Sequence, residues 1–504
     1  MLPRVRVVPT ASGARAVQVI WRYKDNKPVL DHIGSAHGDE ELALLKAKAQ
    51  RLIDGHQPQL DIDLGDQMAP TGSMGSPLPV VAERTGYLID AFDAVYRGLG
   101  FDTATGGDEV FEHLVLARIV QPGSKLDSIE TLAEIGVTSA SYATIKRRLP
   151  RYADPAFQDE LTRACAARAG IGPGTLVLFD VTTLYFETDE PDGFRQPGFS
   201  KERRLEPQIT VGLLSDHRGF PLAVGAFEGN KAETLTMIPM INRLQQAYDL
   251  TQVTVVADAG MFSASNKQAI IDAGLGYILG VRFTQIPYPI AAWRQQHPDS
   301  DYVDGQTWSL ADRAGQGPDG FPHSITYYQY SHDRARRSRK GIAEQVRKAE
   351  AAVAGKTAIK RNRYVQLAGA TKTVNYGLAE KNTALAGIKG YETNLVDLDP
   401  DAVINAYRQL FRIEKAFRMS KSDLKARPIY HRLKDSIDAH LTIVMAAMAV
   451  GHELETRTGL SLRRLVRTLK RYRTFKLDMN GHTIHAATPL PADIQDLIQQ
   501  LTRT

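Results

Sequence analysis

The chain lacks features that several classes of protein require. One cysteine, Cys165, stands among 504 residues, which excludes an intrachain disulfide and a cysteine-based zinc site. The first residues contain no apolar run of the kind that a signal peptide needs. The longest apolar run, residues 441–450, is about half the length of a membrane span and predicts a buried helix. We therefore expect a protein of the reducing cytoplasm with no membrane association.

Acidic residues are scarce in three stretches of the chain, although the formal net charge is only +5. Residues 407–434 hold nine Lys or Arg against two acids, and residues 461–476 hold seven against none. A shorter basic cluster spans residues 334–340. Each cluster alone could be an exposed helix face. Because solvated faces usually mix both signs, the three together indicate a polyanionic partner, most simply nucleic acid.

The order of the apolar patterns predicts an α/β protein in several segments. The segments are a small N-terminal unit with a linker (1–80), a helical region (81–170), the first part of an α/β core (171–283), an insertion with a β-rich portion (284–395), the last part of the core (396–455) and a basic C-terminal tail region (456–504). Within the helical region, residues 128–152 have the pattern of a helix-turn-helix broken at Gly136. That pattern fits either DNA contact or ordinary helix packing.

Two β-branched runs each carry an aspartate. Asp180 lies in TLVLFDVTTLYF, and Asp258 follows VTVVA. A buried ionised carboxylate is costly unless it is paired or bound to a metal. One such Asp could lie where its strand reaches solvent, but two are typical of a site. Since ligands of open α/β sheets gather at the carboxyl ends of the strands, we expect Asp180 and Asp258 to face each other across the sheet.

A third acid lies on a predicted helix that begins at Asp399 and Pro400. Tyr407, Glu414 and Lys421 are seven residues apart, close to two turns at about 3.6 residues per turn, so they share one face if the helix continues. An apolar stripe and an adjacent basic ridge complete the pattern: Leu410, Phe411 and Phe417, then Arg408, Arg412, Lys415 and Arg418. Glu414 alone could be an ordinary ion-paired residue. With the two aspartates it predicts a site.

Three carboxylates on separate elements of an α/β domain, beside basic ridges, suit two-metal phosphoryl transfer. Two Mg²⁺ ions about 3.5–4 Å apart need several anionic oxygens to hold them. Carboxylates are suitable ligands because Mg²⁺ is a hard ion, and converging acids without a metal would repel one another.

These motifs resemble those of DDE transposases of the IS4/IS1634 type, which are insertion-sequence transposases. The strongest is Y-x2-R-x3-E-x6-K, for which residues 407–421 supply Tyr407, Glu414 and Lys421, with Leu410 at the Arg position. DVTT supplies the first Asp and VVADAGM the second. Two further segments are also similar to the family: GFSKERRLEPQITVGLLSDHRGFPLAVGAFEGNKAETLTM and RPIYHRLKDSIDAHL. The resemblance covers most of the chain.

The resemblance implies an RNase H-like catalytic core with a β-rich insertion between the second Asp and the Glu. It implies that Asp180, Asp258 and Glu414 are catalytic and ligate two Mg²⁺ (or Mn²⁺) ions, and that Tyr407 and Lys421 hold DNA phosphates. Arg408 or Arg412 would take over the phosphate contact of the missing motif Arg, with Arg418 in the same basic ridge. The implied partners are double-stranded DNA, as terminal inverted repeats and as target, and a second copy of the chain in a synaptic homodimer. The implied location is a prokaryotic cytoplasm, at the nucleoid.

Arg463, Arg464 and Arg467 in the last basic stretch, with the helix-turn-helix pattern, are our candidates for recognition of the element ends. Two other functions fit the same sequence. One is a nuclease on the same fold that cuts DNA without strand transfer, and the other is a transposase derivative that only binds DNA.

Overall fold

A computed structural model of the chain describes residues 3–502, apart from residues 12, 25–26, 56–70, 75, 173, 187–189, 199–205, 233–234, 249–252, 259–263, 313–322, 358–361, 369–370, 428 and 430. Most of the predicted linker, the residues directly after Asp258, and residues 199–205 and 233–234 of the first family-like segment lie outside the described residues. The chain divides into two compact units, residues 1–78 and 79–504. The six-part division predicted from sequence remains a prediction.

The first unit is a three-stranded antiparallel sheet with one helix. Its elements are β1 (Arg4–Pro9), β2 (Arg15–Lys24), β3 (Lys27–Ala36) and α1 (Asp39–Gly55), with the strands in the order β1–β2–β3. Val17 and Val19 of β2 pack against Ala49 and Ile53 of α1 in a small separate core. The two strands and the helix predicted here are confirmed, and β1 is additional.

The second unit begins with one strand and six helices. They are β4 (Val80–Arg84), α2 (Gly86–Gly98), α3 (Phe101–Thr105), α4 (Glu109–Val120), α5 (Lys125–Glu134), α6 (Tyr142–Ala153) and α7 (Pro155–Ala169). Asp108 caps α4, because its carboxylate accepts hydrogen bonds from the backbone of Val110 and Phe111. At Gly136 a side chain is impossible, because its Cβ would lie 2.2 Å from the carbonyl oxygen of Glu83. The predicted helical character of this region is confirmed.

The central sheet follows. Its first part consists of β5 (Leu176–Tyr185), β6 (Gln208–Asp216), β7 (Pro221–Glu228), α8 (Met237–Tyr248), β8 (Thr254–Ala257), α9 (Ala264–Asp272) and β9 (Gly276–Val281). Strands β5, β6 and β7 pair antiparallel, whereas β5, β8 and β9 pair parallel. The predicted hairpin and the change from antiparallel to parallel pairing are confirmed. The strand order β7–β6–β5–β8–β9 is that of an RNase H-like fold.

The predicted insertion extends this sheet. It contains α10 (Tyr288–Gln296), β10 (Thr307–Asp312), β11 (Ser324–Tyr330), α11 (His332–Val353), β12 (Val365–Ala368), β13 (Thr371–Val374), α12 (Tyr376–Ala384) and β14 (Ile388–Thr393). Strand β14 pairs antiparallel with β9, and β11 and β10 follow, which makes eight strands in all. The insertion also has two small cores of its own, one rich in aromatic residues around Tyr328 and Tyr330. It therefore forms part of the sheet that carries the aspartates.

The chain ends in helices and a second small sheet. They are α13 (Pro400–Arg408), α14 (Leu410–Arg418), a π-helical turn (Met419–Asp423), α15 (Lys434–Thr458), α16 (Leu462–Leu469), β15 (Thr474–Met479), β16 (His482–Ala487) and α17 (Ala492–Thr502). Strand β15 pairs with both β16 and β4. The apolar run 441–450 lies in α15 and is buried, as predicted. Within the described part of the chain, no helix combines the length and the apolar character that a membrane span requires.

Candidate active site

The two aspartates lie at matching positions on neighbouring parallel strands. Residue Leu178 of β5 pairs with Val256 of β8, so Asp180 and Asp258 each lie two residues beyond the last parallel pair. Strand β8 ends at Ala257, whereas β5 continues to Tyr185 against β6. Asp180 is half-buried and Asp258 is exposed. The opening created where β8 ends thus relieves the desolvation cost of both carboxylates.

The predicted long helix is divided at Gln409. Asp399 and Pro400 begin α13 as predicted, but α13 ends at Arg408 and α14 begins at Leu410. The backbone N–H groups of Gln409 and Arg412 donate to carbonyls three residues back instead of four, which tightens the turn. This division changes which side chains share a face. Phe411 is 58% exposed, in contrast to the predicted apolar stripe, while Phe417 is buried.

One pocket of about 620 Å³ nevertheless brings the three acids together. Its lining includes Asp180 from β5, Asp258 after β8 and Glu414 from α14. Helix α14 packs against β5, which places the exposed carboxylate of Glu414 beside the strand that carries Asp180. Lys421 is absent from the lining, because it lies in the π-helical turn, where its Nζ is 6.0 Å from the centre of the Phe417 ring.

Tyr407 holds Asp258. The Tyr407 hydroxyl donates to Oδ1 of Asp258 at 2.7 Å, and burial, followed by this hydrogen bond, raises the pKa of Tyr407. The phenol therefore stays protonated and remains a donor. Gly280 of β9 makes room for the pair, since a Cβ there would lie 2.5 Å from the Tyr407 hydroxyl oxygen and 3.2 Å from Oδ1 of Asp258.

Three basic side chains, one directly after β9, one on α11 and one on β14, also line the pocket, and the sequence analysis assigned none of them to the site. They are Arg282, Arg334 and Lys389. Nζ of Lys389 lies 4.3 Å from the centre of the Tyr407 ring. The pKa of Lys389 is lowered, mainly because the side chain is buried and also because Arg334 is near. The carboxylates of Asp258 and Glu414 offset part of this shift. The sequence signals that could have identified two of these residues are the position of Arg282 directly after β9 and that of Lys389 in β14, which pairs with β9.

The arginines beside the motif separate into two groups. Arg408 lines the acid-containing pocket, and its guanidinium donates to Oε1 of Gln329 at 2.9 Å. Arg412 lines a different cavity, beside Arg218 and Lys415, and Arg418 is exposed outside the pocket. Leu410, at the position of the motif Arg, is itself part of the pocket wall.

Helix α16 presents the three arginines predicted to contact DNA. Arg463, Arg464 and Arg467 are exposed, while Leu465 and Leu469 are buried on the opposite side. Arg463 is engaged within the protein, because its Nε lies 2.8 Å from Oδ1 of Asp423. The predicted contact with DNA remains a prediction for all three.

The helix-turn-helix pattern corresponds to α5 and α6. The connection between them, residues 135–141, is longer than the usual turn of about 3–4 residues in that motif. Two basic residues of α6, Arg148 and Arg151, form ion pairs with the buried Asp108, while Lys146 and Arg147 are exposed. DNA contact by this segment remains a prediction.

The donor atoms in the pocket are of the type that a hard divalent cation prefers. All three acids offer carboxylate oxygens, which Mg²⁺ and Mn²⁺ prefer. Among the described residues, no three Asp, Glu, His or Cys side chains are grouped closely enough to hold a metal ion. Asp180, Asp258 and Glu414 therefore share a pocket but do not form a closed ligand cage, and the cations around them balance part of their charge.

Comparison with known proteins gives a family. The model of the transposase DDE domain family matches residues 171–450, which contain all three acids, and DDE transposases generally use divalent metal ions. No match was found among curated proteins. A solved structure with some similarity is the cryo-EM synaptic complex of piggyBac transposase with hairpin DNA, at 11% identity and a TM-score of 0.37, covering 77% of this chain and 69% of that chain. Because the family match spans more than half of its residues, this chain belongs to the DDE transposase family.

Proposed function

We propose that this protein is an insertion-sequence transposase that binds the ends of its element, cuts the DNA there and joins it to a target. The single observation that carries the proposal is the pocket shared by Asp180, Asp258 and Glu414. In this proposal the first reaction hydrolyses a phosphodiester at the element end and releases a 3′-hydroxyl. In the second reaction that hydroxyl attacks a phosphodiester of the target and displaces the 3′-oxygen of the target strand. The substrate is chromosomal DNA in a prokaryotic cytoplasm.

Asp180, Asp258 and Glu414 would hold two Mg²⁺ or Mn²⁺ ions. When bound, these ions would supply Lewis acidity to the attacking and leaving oxygens. The role of Tyr407 is to orient the carboxylate of Asp258 through their 2.7 Å hydrogen bond. Such hydrogen bonds to a ligand fix its orientation and tune its affinity for the metal.

The basic side chains of the pocket would bind the reacting phosphate. Arg408 is our candidate for the missing motif Arg, because it lines the pocket whereas Arg412 does not. Lys389 and Arg334, from the far side, face the same space. Their charges favour the approach of a phosphodiester, whose own charge would otherwise be repelled by three carboxylates.

The proposal also assigns DNA contacts outside the pocket. Lys421 and Arg418, which follow Glu414, and the exposed arginines of α16 would contact backbone phosphates of the element ends. A homodimer would pair two ends. The support is the one-sided charge of residues 407–434 and 461–476.

The test is cleavage of linear DNA that carries the element's terminal repeats. We expect Mg²⁺-dependent cleavage by the wild-type protein, none by Asp258→Ala, and equal binding of the DNA by both. Asp272→Ala, on α9 of the same α/β core and absent from the pocket lining, is the matched control. Full residual cleavage by Asp258→Ala would remove that residue from the site.

A second assay separates transposition from nuclease activity. A cleaved end with a free 3′-hydroxyl is incubated with plasmid DNA and Mg²⁺, and joined products are counted. Joining supports the transposase. Cleavage without joining identifies the nuclease alternative, and binding without either reaction identifies the derivative that only binds DNA.

A further inference from the structure

A second pocket, with four basic side chains in its wall, lies where the helical region meets the segment after Glu414. It has a volume of about 330 Å³. The basic side chains in its wall come from three parts of the chain: Arg118 of α4, Lys125 of α5, and Lys425 and Arg427 after the π-helical turn. One carboxylate, Asp127, is also in the wall, and its Oδ2 accepts a hydrogen bond from the backbone N–H of Ser124 at 2.7 Å.

Lys125 is the residue that points to a ligand. Only 5% of its surface is exposed, and its Nζ has no hydrogen-bond partner among the described residues. Arg118, 4% exposed, lines the same space. A buried ammonium group without a partner is costly, and burial, followed by the charge of Arg118, lowers the pKa of Lys125 well below its usual range. An anion in the pocket would remove both penalties.

Two histidines also line the pocket, and burial lowers the pKa of both. His440 is buried, and its Nε2 lies 3.1 Å from the carbonyl oxygen of Ala426. Burial, followed by the charges of Lys125 and Arg118, lowers the pKa of His431 to about 4. Both rings are therefore neutral near pH 7. The pocket holds four potential cations against one carboxylate.

The floor of the pocket is the N-terminal end of a helix. Helix α5 has ten residues, and Ser124 and Asp127 form a capping box around its first turn. The positive end of the helix dipole reinforces the field of the two buried cations. Volume, charge and position together favour a tetrahedral oxyanion.

We propose that this pocket binds a phosphate group of the DNA backbone, outside the acid-containing pocket. The choice of DNA rests on the proposed function and on the rim. Lys425 and Arg427 belong to the basic stretch 407–434 that follows Glu414, and Tyr142 and Leu126 at the rim are 47% and 56% exposed. An exposed aromatic side chain beside cations suits contact with a nucleotide. The α5 segment would thus contact DNA through its N-terminus.

The test uses the full-length protein and the variant Lys125→Met, which keeps the length of the side chain and removes its charge. Lys48→Met, an exposed lysine on α1, is the matched control. The first measurement is the Tm with and without inorganic phosphate. We expect phosphate to raise the Tm of the wild type and of Lys48→Met but not of Lys125→Met. Without phosphate, Lys125→Met should be at least as stable as the wild type, because an unpaired buried charge is gone.

The second measurement is the affinity for a short duplex of arbitrary sequence at several salt concentrations. Lys125→Met should bind more weakly, with the slope of log K against log salt smaller by about 0.9, the value for one phosphate contact. Lys425→Asn removes an exposed cation at a positive φ of 42°, which Asn tolerates, and should reduce the slope similarly.

Three results would overturn the proposal. They are no effect of phosphate on the wild-type Tm, a lower Tm of Lys125→Met in phosphate-free buffer with unchanged DNA binding, or stabilisation by phosphate with an unchanged salt slope. The last result would identify a site for free phosphate. None of these measurements depends on cleavage, so a failure of the proposed transposase activity would be seen separately.

Discussion

The molecule contains two charged pockets that differ in what surrounds the charge. In the acid-containing pocket, two of the three carboxylates are exposed and Asp258 already accepts a hydrogen bond from Tyr407. In the pocket at Lys125, two cations are almost fully buried and the ammonium group has no described partner. Exposed carboxylates can be hydrated until metal and substrate arrive, whereas a buried cation has no such substitute. This difference supports our proposals that the first pocket carries out the chemistry and the second holds an anion.

The largest effect should come from removing the charge of Glu414. Glu414→Gln deletes one anionic ligand but keeps the shape of the side chain, and we expect the rate of Mg²⁺-dependent cleavage to fall by about 10²–10³-fold, as for the loss of a major electrostatic group. Lys125→Met should leave that rate unchanged at saturating DNA. The exposed Glu380→Gln on α12 is the control. If Glu414→Gln and Lys125→Met lost the same fraction of the cleavage rate, the two pockets would not differ in function as we propose.

A smaller effect is expected for Tyr407→Phe, which removes the hydroxyl that positions Asp258. Removal of such a hydrogen bond typically weakens metal affinity or activity by about 10–100-fold, so the Mg²⁺ concentration for half-maximal cleavage should rise within that range. Tyr327→Phe is the matched control, since that hydroxyl donates to the carbonyl oxygen of Leu398 at 3.1 Å and Tyr327 is absent from the pocket lining. If both variants show the same Mg²⁺ dependence, the hydrogen bond has no positioning role.

The two arginines beside Leu410 test which one contacts the reacting phosphate. Arg408→Gln should lower cleavage by about 10- to 150-fold, because a hydrogen bond to a charged group contributes about 1.5–3 kcal/mol. Arg412→Gln should cleave at close to the wild-type rate, since that side chain lines another cavity. The rates are measured in single turnover, with the protein in excess over the DNA. A larger loss in Arg412→Gln would reverse the assignment.

The smallest effects concern α16. Arg464→Gln with Arg467→Gln should weaken DNA binding several-fold and reduce the salt slope by about 0.9 for each phosphate that is no longer neutralised, with no change in Tm. Arg463→Gln should weaken DNA binding less and should also reduce stability by no more than about 1 kcal/mol, because its guanidinium already pairs with Asp423 at the surface. Anisotropy and thermal unfolding separate the two outcomes. An unchanged slope in the double variant would exclude phosphate binding by Arg464 and Arg467.

Local sequence signals predicted the elements that carry the acids. Alternating β-branched runs gave β5 and β8, and the Asp-Pro start gave α13, because these signals depend on a few neighbouring residues. The division of the next helix at Gln409 escaped prediction, since its tightened turn has no proline or glycine to mark it. The separation of Lys421 from the pocket follows from that division and from the π-helical turn.

The sequence by itself determined the chemistry available to this protein: which strands end near carboxylates, which helix carries Glu414, and which stretches are basic. Only the tertiary structure decided which charges meet. Lys389 lines the pocket of the acids because β14 pairs with the edge strand β9 of the core, and Arg334 lines it from α11, which follows β11. Arg118 and Lys425 line one pocket although they are distant in the chain. Residues so far apart in the chain produce no local sequence pattern, because only long-range packing sets the distance between them.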